Sequence, residues 1–185
     1  MPVTPYHFGP SGFLGLVFRR WLDVPVFVLA NVVVDIEVLC FANFRVHRYA
    51  HTLLIGAAVG AVWGLAAIPL RRLFSWAMPL LGLSYQTTVP KMLVSGVLGV
   101  WLHVLVDGLY HYDVWPLWPS RKLWLWNIAA RHIGYNNMAV LQEYIKLGCV
   151  LFFVAAIVLY LFIRRKGRPK EKCLEPASRG AGTAV

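Results

Sequence analysis

Long apolar runs alternate with short polar breaks along this chain. Four runs, residues 24–44, 51–70, 92–110 and 147–163, reach the length of a bilayer crossing, which takes about 20 residues of helix. A shorter run, residues 10–18, covers only about half that thickness at ~1.5 Å per residue. Residues 73–83 are apolar as well, but Pro79 and the polar stretch Ser84-Tyr85-Gln86-Thr87-Thr88 predict an interfacial or re-entrant piece. From Lys166 onward the chain turns to Pro, Gly, Ala and charge, which predicts a disordered basic tail. The pattern therefore predicts an all-α, polytopic membrane bundle of four spans plus an N-terminal half-helix. One domain covers residues 1–165 and the tail residues 166–185.

Composition sharpens this. Of 185 residues, 59% are hydrophobic and only 14% are charged, against roughly 25% charged in a soluble domain. Mean hydropathy is +0.62. A disordered chain, a secreted disulfide scaffold and a soluble enzyme are excluded on these grounds. The formal charge of +10 would suggest nucleic acid in a soluble domain. Here the cations lie between and after the apolar runs, where they set orientation and attract anionic lipid, so the expected partner is membrane lipid and not nucleic acid. Counting Arg19, Arg20, Arg71, Arg72, Lys91 and the tail gives twelve Lys and Arg on one side, against six on the other. The richer side, with the C-terminus, is expected in the cytoplasm. Cys40, Cys149 and Cys173 form no paired motif, so no disulfide framework is indicated. No Lys or Arg precedes Arg19, so no cleavable signal is expected and the first residues stay on the protein.

Two further patterns concern packing. Residues 115–126 hold four of the eight tryptophans with two prolines, and indoles favour the headgroup level, so this loop is expected to lie flat on the outer interface. Gly56, Gly60 and Gly64 recur every four residues, a smooth stripe that lets two backbones approach closely. It serves either packing within the chain or a homodimer contact.

Ionisable residues inside apolar runs cost about 2.5–3.5 kcal/mol each on insertion scales and are functional candidates by default. Asp35 and Glu37 lie in the first long run, His103 and Asp107 in the third, and His51 opens the second. His103 and Asp107 are i and i+4, on one helix face. Alternating helix directions bring His51, His103 and Asp107 to the same, outer, end, and Asp35 and His7 reach that level too. Each histidine alone also fits a hydrogen-bonded core position. Imidazoles and carboxylates converging from several helices are what a divalent metal needs, zinc first, with manganese or iron admitted by the carboxylates. The expected ligands are His7, Asp35, His51, His103 and Asp107. Residues two apart on a helix point to different sides, so Glu37 is assigned a supporting or catalytic-base role. Arg48 would clamp a substrate phosphate or carboxylate, or else serves as a topology charge.

The segments TPYHFGPSG, VVVDIEVL, HRYAHTLL and HVLVDGLYHYDVWPLWP follow one another in that order. Over residues 4–119 the chain resembles the membrane-bound metal-dependent hydrolases, the group that includes LexA-regulated inner-membrane hydrolases of bacteria. That resemblance implies a helical plan like that of zinc-dependent phospholipases C. It matches His103 and Asp107 to their H-x-x-x-D pair, and His7 to an N-terminal histidine. Where many relatives have threonine after that pair, this chain has His111-Tyr112-Asp113. The implied activity is metal-dependent hydrolysis at the bacterial inner membrane, on an amphiphilic phosphoester or lipid-linked ester. Two other classes fit the same residues: a metal-stabilised binding or assembly protein without catalysis, and a small ion or metal transporter.

Overall fold

The computed structural model of the chain describes residues 4–40, 49–120, 122–134 and 137–167, without the side chains of residues 4, 37–40, 124 and 167. Every regular element among the described residues is helical. A 3-10 turn at Thr4–His7 leads into α1 (Phe8–Val17), and α2 is Val24–Cys40. A second 3-10 turn, Tyr49–His51, precedes α3 (Leu53–Ala66). Then follow α4 (Arg71–Leu80), α5 (Val89–Tyr110), α6 (Trp124–Ile133) and α7 (Met138–Gly167).

Small polar side chains set the helix starts by accepting from a first-turn N–H. Thr52 accepts from Ile55 at 3.2 Å and Thr88 from Lys91 at 3.4 Å. Asp23 accepts from Val26 at 3.2 Å at the head of α2. Pro69 governs the end of α3. It disfavours helical backbone at Ile68, α3 stops at Ala66, and α4 departs at 82° to it. On α4, Phe74 and Met78 are buried one turn apart, while Leu73, Trp76 and Leu80 are exposed. The apolar stretch expected over residues 73–83 is thus a short amphipathic helix set off from α3.

By length and apolar character α5 and α7 can each cross a bilayer, and the bent pair α3–α4 makes a third if it is one broken span. The second run thus yields a 14-residue helix and a sharp turn, where an unbroken span was expected. Over its described part α2 has 17 residues and is a shorter apolar helix. In the other direction, α7 starts at Met138, well before the apolar run at 147, and its polar opening turns carry the pair Glu143–Lys146 at 2.7 Å. The tryptophan-rich segment also departs from expectation. It becomes helical at Trp124, and the loop before it folds inward. Pro116 O accepts from Leu53 N–H at 2.8 Å, and Val114 joins the core formed by Ala30, Val34, Val100 and Val104.

In a bilayer, helices gain little from hydrophobic burial against each other, so close backbone packing holds them together. A Cβ on Gly60 would lie 2.6 Å from Gly96 O, and one on Gly96 would run into Gly60 O. Gly56 and Gly64 are buried on the same face against α5. The glycine stripe therefore packs α3 on α5 within the chain. Basic residues collect at one end of the bundle. There Lys91 Nζ donates to Arg19 O at 3.2 Å, and Arg164 lies against Gly82 just after α4.

Candidate metal centre

At the opposite end, four of the five expected ligands converge. Ligand atoms from Asp35 on α2, His51 before α3, and His103 and Asp107 on α5 all lie within 4.8 Å of one another. Local sequence explains each placement. His103 and Asp107 stack one turn apart on the buried face of α5. His51 closes a 3-10 turn held by the Thr52 hydroxyl, which donates to Tyr49 O at 2.8 Å. Asp35 follows Val34 of the core, so packing of that valine fixes the helix rotation that presents the carboxylate.

The spacings come close to those of a coordination shell, the two from His51 being slightly wider. His103 Nε2 lies 3.0 Å from Asp107 Oδ2 and 3.3 Å from Asp35 Oδ1. His51 Nε2 lies 3.7 Å from each of Asp35 Oδ1 and Asp107 Oδ2. Donors bound at ~2.0–2.2 Å in a tetrahedron stand roughly 3.3–3.6 Å apart, and adjacent octahedral donors roughly 2.8–3.1 Å. The nitrogen of His103 that faces both carboxylates has no hydrogen-bond partner of acceptable geometry among the described residues. A buried polar atom in that condition is costly, and an ion between the donors would satisfy it. Asp35 and Asp107 together carry −2, the charge one dication neutralises. The residues present therefore fit a divalent metal.

His7 stands beside this group, outside the four. Its Nε2–H donates to Asp107 Oδ1 at 3.0 Å, and its ring stacks on His103 with centroids 4.1 Å apart. Asp107 thus gives one oxygen to His7 and turns the other to the cluster. His7 is itself held in place: Ser11 Oγ donates to His7 O at 2.7 Å, and Asn31 Nδ2 donates to Ser11 Oγ at 2.9 Å. Ser11 and Asn31 are fully buried. Sequence reasoning passed over both, although a polar residue inside each apolar run was the available signal.

Exposure is uneven. The side chain of Asp35 is 21% exposed, against 0–3% for His51, His103 and Asp107, so the cluster opens on the Asp35 side. His111 does not continue the His103–Asp107 face. It leaves α5 in extended backbone, with Nδ1 4.0 Å from Asp113 Oδ1. Arg48 and the side chain of Glu37, the two expected catalytic groups, lie outside the described residues.

No family model, curated protein or solved structure matches this chain. Over its described residues the chain is all-helical, has two helices long and apolar enough to cross a membrane, and carries a buried Asp-His-His-Asp cluster that could hold a metal ion.

Proposed function

We propose that this protein is a membrane-embedded, metal-dependent hydrolase acting on a phosphoester or a lipid-linked ester. The observation that carries this reading is the convergence of Asp35, His51, His103 and Asp107 at coordination spacing. Two imidazoles and two carboxylates suit zinc, manganese or iron. When bound, such an ion supplies Lewis acidity and a water acidified to a pKa of about 7.

The chain's own residues do the rest. His7 fixes the rotation of Asp107, as partners of ligating carboxylates do in metal sites. Partly exposed Asp35 marks the side from which a substrate approaches. Glu37 is proposed to take the proton and Arg48 to hold the substrate anion. We place the protein in a bacterial inner membrane, with the first apolar run as a fourth span and the cationic end in the cytoplasm. The resemblance to membrane-bound metal-dependent hydrolases, and through them to phospholipases C, supports the substrate class.

Four protein donors also favour a second reading. They fill a tetrahedral shell, as in structural zinc sites, which lack the open position catalysis uses. Turnover separates the two. The full chain, purified and equilibrated in turn with zinc, manganese and iron(II), is assayed on a chromogenic phosphodiester, a carboxylic ester and a phospholipid. Hydrolysis that Asp35→Asn abolishes is the expected result. Metal bound without turnover of any of the three leaves the structural centre and overturns the hydrolase.

A further inference from the structure

At the far end of the bundle from the histidines, the elbow between α3 and α4 borders an open cavity of about 660 Å³. Its walls include Arg71, Arg72 and Ser75 of α4, and Tyr85 and Thr87 from the segment leading to α5. We propose that this cavity binds the phosphate of an anionic phospholipid headgroup.

Three observations point there. First, Ser75 lies one turn from both Arg71 and Arg72 on α4, and all three line the cavity, so both arginines front the same space. Neither arginine forms an ion pair among the described residues. Two like charges side by side repel, and guanidinium forks pair with phosphate oxygens through short, charge-assisted hydrogen bonds. The positive end of the α4 dipole adds to their field.

Second, the opposite wall does not neutralise them. Tyr85 donates its hydroxyl proton to Asp23 Oδ2 at 2.8 Å, and Thr87 donates to the same oxygen. Asp23 is 1% exposed and also accepts from Val26 N–H. Both Asp23 oxygens are taken up by these neutral donors, so neither is left to form a salt bridge with the guanidinium pair.

Third, the cavity adjoins an apolar surface of the right kind. Leu73, Trp76, Leu80 and Leu81 of α4 and its C-terminus are all at least half exposed. α4 departs at 82° from α3, and lying along the membrane surface it would set this apolar side at the acyl boundary. A phospholipid held there keeps its chains on α4 while its phosphate reaches the arginines. A free phosphate would use only the second half of that arrangement.

The test uses the purified full chain in an uncharged detergent. It is titrated with short-chain phosphatidylglycerol, with short-chain phosphatidylcholine and with inorganic phosphate, and thermophoresis reads the binding. Phosphatidylglycerol is expected to bind at least about tenfold more tightly than phosphatidylcholine, and Arg71→Gln/Arg72→Gln to lose about tenfold. Arg19→Gln/Arg20→Gln, which removes the same charge at the same end but outside the cavity, is expected to change little. Ser75→Trp fills the cavity without changing charge and is expected to weaken binding too, which keeps the test open if the arginine variant fails to fold. Competition by inorganic phosphate alone would identify a free anion as a second occupant of the same phosphate site. Equal loss in both arginine variants, or no preference for the anionic lipid, would overturn the proposal.

Discussion

His7 and Asp107, a hundred residues apart, share a buried hydrogen bond of 3.0 Å that leaves only the other carboxylate oxygen for the metal cluster. The first described turn of the chain is thereby tied to the last turn of α5. A ligating carboxylate with one oxygen fixed in this way has lost most of its rotational freedom before any ion arrives.

That tie predicts a graded mutational response. His7→Ala should weaken metal binding by about 10–100-fold, the usual cost of losing a partner that orients a ligand. His103→Ala and Asp107→Ala should remove binding altogether. Competition against a chromogenic chelator measures all three. A His7→Ala variant as empty as His103→Ala would make His7 a ligand, as expected from the sequence, in place of an orienting group.

Close backbone contact between α3 and α5 makes a second prediction, this one about stability. A Cβ at Gly60 meets backbone atoms of Gly96 and Val97 at 2.6 Å, whereas one at Gly148 on α7 meets nothing within 4 Å. Gly60→Ala should destabilise by about 1–3 kcal/mol through overpacking. Gly148→Ala should be neutral or stabilise by roughly 0.5–1 kcal/mol through helix propensity. Thermal unfolding in detergent compares them, and equal effects would deny that the stripe packs within the chain.

A pH dependence follows from Tyr85, which lies in the segment between α4 and α5. Burial first, then the hydrogen bond to Asp23 and its charge, hold the phenol well above its ordinary 10.0. The folded chain keeps this proton longer than the unfolded chain does. Its contribution is therefore complete below about pH 10 and is lost as pH rises beyond it. Tyr85→Phe should cost about 1–2 kcal/mol at neutral pH and lack the alkaline decline. Parallel stability profiles above pH 10 would show that Tyr85 is not the group responsible.

The distribution of charge predicts sidedness. Ser75 on α4 and Tyr112 after α5 are both exposed and belong to opposite ends of the bundle. In a cysteine-free background, Ser75→Cys and Tyr112→Cys should react with an impermeant maleimide from opposite faces of intact vesicles, with Ser75 on the cytoplasmic face. Labelling of both from one face would contradict a bundle that crosses the bilayer between them.

Much of the centre was legible because charge inside an apolar run is conspicuous. Asp35, His51, His103 and Asp107 needed only helix periodicity and alternating direction to be brought together. The residues that hold them were harder to see. Ser11 and Asn31 are neutral and small, so they barely disturb an apolar run, yet they fix His7. Asp23 stands just outside the run it caps, where an acid looks like an ordinary loop residue, although Asp before an apolar helix with Pro25 in its first turn is a start signal. Helix ends escaped for a related reason. Apolar length locates a span but not a helix, so α7 starts earlier than its apolar part and Pro69 divides α3 from α4.

Metal content of the purified full chain is the most direct test of the central claim. The parent protein and the Asp107→Ala/His103→Ala double variant are equilibrated with zinc, manganese or iron(II), desalted and analysed by mass spectrometry for bound metal. About one dication per parent chain, absent from a double variant that retains its helical circular dichroism, is the predicted result. A parent that stays metal-free with all three ions, or a double variant that holds as much metal as the parent, would contradict it.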